Sequence, residues 1–152
     1  MPPMRAVVQR VQHAQVTVDG DRVGSIALGI CVFVGVGNGD SELDAAALAD
    51  KVVGLRIFED AAGKMNLSLL EVGGALLAVS QFTLFGDVRR GKRPSFSEAL
   101  EPVRAEFLFS LFCEECRKRG ATVETGRFRT QMQVTLENDG PVTILIDTER
   151  AF

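Results

Sequence analysis

The chain has 152 residues, enough for one domain with a core of its own, and its 46% hydrophobic and 24% charged content is that of an ordinary globular protein, not of a disordered or fibrous chain. A net charge of −3 excludes a surface that coats nucleic acid generally, and no apolar run reaches the roughly 18 residues of a membrane helix. The opening "MPPMRAVVQRV" lacks the hydrophobic stretch and cleavage site of a signal peptide, and three cysteines make an odd count, so a cytoplasmic protein with reduced thiols and no membrane association is expected.

Residues 5–11, "RAVVQRV", and 14–18, "AQVTV", predict short β-branched strands, and the turn "DGD" leads to another over 22–28. "ICVFVGV", 30–36, is continuously apolar and predicts a buried strand. Ser41 with Asp44 three positions on resembles a capping box, opening an alanine-rich helix to about Arg56. "EDAAGKMNLSLLEVGG" reads as loop and turns. A strand follows from Ala75 to Thr83, apolar at first and polar from Ser80 onward. Pro102 suits the first turn of a second helix whose apolar stripe is Val103, Phe107, Leu108, Leu111 and Phe112, and Gly120 ends it. In the last two strands Met132, Val134 and Leu136, then Val142, Ile144 and Ile146, alternate with polar residues, and "NDGP", 138–141, is expected to join them as a hairpin turn. With about seven strands, two helices and neither linker nor repeat, the expectation is one α+β domain over residues 1–152.

Charge is uneven. In the loop after the polar strand end, Asp87 stands against Arg89, Arg90, Lys92 and Arg93, a basic segment on an otherwise acidic body. That pattern suits either a solvated loop or a local anionic partner.

Three other features carry little chemistry. Gly35, Gly37 and Gly39 lie between a strand and a helix, but a dinucleotide fingerprint needs glycine where Asp40 stands, and a carboxylate there opposes a pyrophosphate. Cys113 and Cys116 form a CxxC on the second helix with only distant Cys31 and His13 to complete a ligand set, so packing is the reading and no metal site is expected. His13 is the sole histidine, expected in an exposed turn, and no G-x-S-x-G elbow accompanies it. A nucleophile–base hydrolase is therefore poorly supported.

"SQFTL", residues 80–84, and "NDGPVT", residues 138–143, resemble the two signature motifs of the D-aminoacyl-tRNA deacylase family. "MRAVVQRV", "LRIFEDAAGKMNLS" and "RRGKRPSF" resemble the same family's intervening segments, so the likeness runs from about Met4 to Asp147. It implies a homodimeric, cofactor-free enzyme that hydrolyses D-aminoacyl-tRNA and mischarged glycyl-tRNA while sparing the L form, with its active site at the subunit interface. It implies a layered fold of mostly antiparallel, barrel-like sheet with two main helices. On it, Ser80, Gln81, Phe82 and Thr83 line the site for the terminal adenosine and ester, and Met132 and Asn138 join the substrate-binding set. It also implies that Gly140-Pro141 is a cis peptide entering the partner's site, on a loop steadied by Arg10. Backbone carbonyls at such a tip can hold an α-ammonium so that an L side chain collides with fixed backbone. One stretch departs from the family: "GRFRTQM" carries Arg129 and Thr130 where small residues are usual, ahead of the matching Met132.

The chemistry suits these residues. An aminoacyl ester is already activated by its α-ammonium and vicinal hydroxyl, so orientation and modest charge stabilisation matter more than a strong base. Ser80, Gln81, Thr83 and strand-end N–H groups can hold the carbonyl and a water, with the substrate's 2′-hydroxyl assisting; Thr83 as covalent nucleophile lacks a visible base. Arg89, Arg90, Lys92 and Arg93 are placed to meet acceptor-stem phosphates. Two other classes fit the residues alone: a non-catalytic RNA-binding module using the basic loop, and a small-ester hydrolase acting through Thr83.

Overall fold

The computed structural model describes residues 4–152. Its elements run β1 (Arg5–Val18), β2 (Asp21–Ile26), β3 (Gly29–Gly35), α1 (Glu42–Gly54), β4 (Phe58–Glu59), β5 (Met65–Leu67), β6 (Ala75–Ser80), a 3-10 turn (Phe82–Phe85), α2 (Pro102–Lys118), β7 (Thr122–Thr125) and β8 (Gln133–Asp147). The α+β class read from the sequence is the observed one, with a small β4–β5 hairpin inside the segment read as loop.

One long strand organises the sheet. β1 pairs antiparallel with β3 through residues 5–11, with β2 through residues 14–18, and with β8 along its opposite edge over nearly its whole length. Beyond β3 the order continues to β6 and β7, both added in parallel. Changing partner midway lets the sheet curl until β7 meets β2. Gly24 permits that closure, because a Cβ there would stand 2.3 Å from the carbonyl oxygen of Thr125.

β3 and β6 are buried on both faces, which explains their unbroken apolar runs. Ile30, Val32, Leu76 and Ala78 face the core under the two helices, whereas Cys31, Leu77 and Val79 face the smaller core inside the curl. α1 begins as expected: the Asp44 carboxylate accepts from the Ser41 N–H at 2.8 Å. α2 has Pro102 in its first turn, and Glu101 accepts from the N–H groups of Val103 and Arg104. Among the described residues, no helix is long and apolar enough to cross a membrane.

Four expectations need correction. The two opening strands are one, and His13 lies exposed within it, 3.9 Å from Glu137, not in a turn. The polar end of 75–83 is not strand: β6 stops at Ser80 and the chain winds into the 3-10 turn. The buried stripe of α2 is Ala105, Leu108, Phe109, Phe112, Cys113 and Cys116, while Val103 and Phe107 are 73% and 49% exposed. Two adjacent apolar residues a turn apart satisfied the helical period on either side, and the cysteines decide the face. Finally, "NDGP" does not reverse the chain. Residues 133–138 and 143–147 continue in one direction along β1, with Gln9 opposite Thr143 and Val11 opposite Asn138, so residues between them bulge outward. The alternation on each side predicted strand correctly but carried no information about which strand is the partner.

Candidate active site

The local sequence explains the turn after β6. Gln81 donates its N–H to the Val34 carbonyl at 2.8 Å, prolonging the β3–β6 ladder, and the Gln81 and Thr83 carbonyls then accept from Leu84 and Gly86. Phe85 anchors the turn at 1% exposure, with the Arg5 guanidinium 4.9 Å from its ring centre. Gly35 makes room, since a Cβ there would lie 3.0 Å from the Leu84 Cβ. Phe82, left outside, is 59% exposed and meets Phe96 edge-on, ring centres 5.0 Å apart.

This turn forms one wall of a cleft of about 770 Å³ at the carboxyl ends of β3 and β6, within the size range of small-ligand sites. Ser80, Gln81, Phe82 and Thr83 line it, and Met132 faces them from the opposite wall with Phe128 through Gln131. Gln81 Nε2 donates to Thr83 Oγ1 at 3.0 Å, fixing both side chains. The cleft thus presents hydroxyls, two amides, the Arg129 guanidinium, backbone groups and apolar surface; among the described residues no carboxylate or imidazole lines it.

The second motif gathers elsewhere. Arg10 is buried, donating from Nε to the Asp139 carbonyl at 2.9 Å and from Nη1 to the Ile57 carbonyl at 2.7 Å. Asn138 closes the bulge by accepting from the Val142 N–H at 2.7 Å and donating to the Val142 carbonyl and Thr143 Oγ1. Gly140-Pro141 is a cis peptide, and Gly140 has φ +142°. Arg10 pairs with Ile30, and Ile30 with Leu76, so this loop lies three strand spacings across and four residues along from Ser80. That is on the order of 20 Å measured along the sheet. Within one chain, Asn138, Gly140, Pro141 and Arg10 do not join Ser80 through Thr83.

The basic loop is a closed excursion. Asp87 and Ser95 exchange backbone hydrogen bonds at 2.8 and 3.0 Å. Arg89 is tied to Asp87 at 2.7 Å, and this hydrogen-bonded guanidinium pulls the Asp87 carboxyl down to about 2. Arg90, Lys92 and Arg93 stand exposed outside that pair. The three cysteines are buried thiols, and burial pushes each up to about 12.

Sequence reading missed Phe33, Ala99, Leu100, Pro102 and Ala105 in the cleft wall, and Gln12, whose amide holds the Asp139 carboxylate at 2.8 Å. Their types are unremarkable and only the folded contact reveals them.

Fold and cleft together define an α+β protein with a strand-end site lined by hydroxyls, amides and one guanidinium, unlike a nucleophile–base hydrolase. The family described as D-Tyr-tRNA(Tyr) deacylase matches residues 7–147, and the chain belongs to that family. A D-aminoacyl-tRNA deacylase of Symbiobacterium thermophilum is 60% identical over 149 residues, covering 98% of this chain and 99% of that one. One from Thermotoga petrophila is 58% identical over 149 residues, covering 98% and 100%. Among solved structures, one described as c-Myc DNA Unwinding Element Binding Protein superposes with a TM-score of 0.88 at 40% identity, covering 93% of this chain and 97% of that one. A probable eukaryotic D-amino acid tRNA deacylase at 19% identity shares the fold, with a TM-score of 0.80 and coverage of 95% and 98%.

Proposed function

We propose that the chain, acting as one domain over residues 1–152, hydrolyses the ester of D-aminoacyl-tRNA to D-amino acid and tRNA, spares L-aminoacyl-tRNA and also clears glycyl-tRNA. The observation that carries this reading is family membership over residues 7–147, with the first motif lining the cleft. Water adds to the ester carbonyl, the acyl carbon–oxygen bond breaks, and the departing ribose oxygen takes a proton relayed through the neighbouring 2′-hydroxyl. Ser80, Gln81 and Thr83 orient the carbonyl and the water, while Phe82 and Met132 contact the terminal nucleoside. A general base is unnecessary because the ester is activated and the chief requirement is geometry.

Selectivity is assigned to the backbone of Gly140 and Pro141. That the loop is remote from its own chain's cleft supports a homodimer in which each loop enters the partner's cleft. A carbonyl there that holds the substrate's α-ammonium leaves an L side chain facing fixed backbone. Glycine has no side chain to reject. Arg90, Lys92 and Arg93, with Arg89 held by Asp87, contact tRNA phosphates.

The test is release of amino acid from matched D- and L-aminoacyl-tRNA and from glycyl-tRNA. Fast release from the D and glycyl forms with little from the L form is expected; equal rates on both enantiomers, or none, overturn the reading. Thr83→Ala should keep substantial activity with no acyl-enzyme trapped on quenching, and an adduct at Thr83 would replace attack by water with covalent catalysis.

A further inference from the structure

Among the described residues, Arg129 is the only charged side chain lining the cleft; the other residues of its walls are neutral. Among the described residues it is also one of three non-glycine residues in the left-handed region, with φ +60°. Glycine would occupy that backbone position with less strain, so an arginine there is retained at a conformational cost. The turn that carries it is firmly held. Thr130 Oγ1 donates to the Arg127 carbonyl at 2.8 Å, Phe128 packs on Phe109 of α2 with ring centres 6.3 Å apart, and a Cβ on Gly126 would lie 2.6 Å from Met132 Sδ. The guanidinium is therefore presented from a rigid apex at an exposed edge of the cleft. Among the described residues, no carboxylate forms an ion pair with it.

From these observations we propose that Arg129 is a substrate-binding residue that holds the 5′-phosphate of the terminal nucleotide. This rests on the proposed deacylase reading. An aminoacyl ester brings one cation, its α-ammonium, and a guanidinium in the same neutral cleft repels it. The cation at Arg129 must then face the anionic end of the same nucleotide, and the 5′-phosphate is the nearest anion to a ribose that carries the ester. A planar guanidinium matches phosphate oxygens with paired N–H donors, which a lysine reproduces only as a point charge. The same contact sets polarity: with the phosphate held at one edge, the ester carbonyl is directed inward toward Gln81 and Thr83.

The experiment compares 3′-O-D-aminoacyl adenosine with its 5′-monophosphate, using wild type, Arg129→Gly and Arg129→Lys. Wild type should show a KM lower by about three- to tenfold for the phosphorylated substrate, as expected for one exposed charge-assisted contact. Arg129→Gly should lose that preference, and its melting temperature should not fall, since glycine suits the φ. Arg129→Lys should retain part of the preference. With intact tRNA, the slope of log kcat/KM against log salt should flatten by about 0.7 in Arg129→Gly, the value for one single-stranded phosphate. Binding of adenosine 5′-monophosphate against adenosine, followed by calorimetry, gives the same comparison without turnover. If no ester is cleaved but the nucleotide preference disappears in Arg129→Gly, the deacylase reading fails and the Arg129 assignment stands. Equal phosphate preference in wild type and Arg129→Gly, no preference in wild type, or a changed oligomeric mass in Arg129→Gly overturns the assignment.

Discussion

The backbone N–H of Val142 donates to Oδ1 of Asn138 at 2.7 Å, so a side chain four residues back supplies the partner that the strand ladder does not. Nδ2 of the same amide returns to the Val142 carbonyl and to Thr143 Oγ1, each at 3.2 Å. Val142 is buried, and its N–H has no ready access to water. Asn138→Ala should cost about 1–3 kcal/mol of folding stability, the penalty for a buried donor left unpaired. Asn138→Asp keeps the acceptor but loses the donors and should fall between. Denaturant midpoints rank the three proteins; because the loop belongs to the proposed site, kcat/KM should fall further than stability does.

The basic loop divides in two. Asp87 already engages Arg89, leaving Arg90, Lys92 and Arg93 as the cations available to an anionic partner. Alanine at those three positions should flatten the salt dependence of tRNA binding by about 0.9 for each duplex phosphate that is no longer neutralised. Arg89→Ala alone should change the slope less and should release Asp87 toward ordinary carboxylate behaviour. An unchanged slope in the triple variant would remove phosphate binding from this loop.

What the sequence made legible follows from what is local. The β3 run, the Ser41–Asp44 start of α1 and Pro102 each act within a few positions, and each was found where expected. The largest errors concern partners distant in the chain. "NDGP" has hairpin composition, yet β1 offers one long edge on which both flanking segments pair, and that edge decides the outcome. The α2 face was misjudged because Leu108 and Phe112 fit two overlapping stripes, and only packing on α1 chooses between them. For the site, the first motif was visible as apolar strand turning polar. The opposite wall, Phe128 through Met132, is brought there by the fold, and residue types alone did not mark it.

Asp40 gives the protein a pH response of its own. Its carboxylate is buried and accepts from the Gly37 N–H at 2.6 Å; burial outweighs that bond and, with Asp44, Glu149 and Asp147 nearby, pushes Asp40 up to about 7 from 3.8. Between those values the folded chain keeps a proton that the unfolded chain has lost. The associated stability is complete below about pH 4, declines as pH rises, and is gone above about pH 7. Melting temperature should therefore decrease from pH 5 to pH 8 in wild type, and Asp40→Asn, which stays neutral and keeps an acceptor for Gly37, should flatten that decrease. A parallel decrease in the variant would exclude Asp40 as its source.

Two copies build one site if the 140–141 loop of each enters the other's cleft. Gly140 tolerates no side chain: at φ +142° a Cβ would stand 2.7 Å from Val142 Cγ2 and 2.9 Å from the Val142 nitrogen. Gly140→Ala should displace the loop and, with strain of about 1–3 kcal/mol, abolish most activity without unfolding the chain. Gln81→Trp, which puts an indole into the cleft, should abolish activity from the other side. If each site takes its 80–83 segment from one copy and its 140–141 loop from the other, a mixed dimer of the two variants has one doubly damaged site and one intact site. Random mixing makes half the dimers mixed, so an equimolar mixture, unfolded and refolded together, should recover about one quarter of wild-type activity. Two motifs acting within the same chain would give no recovery, because every site would then carry one lesion. The measurement is amino acid release before and after mixing, with each variant refolded alone as the control.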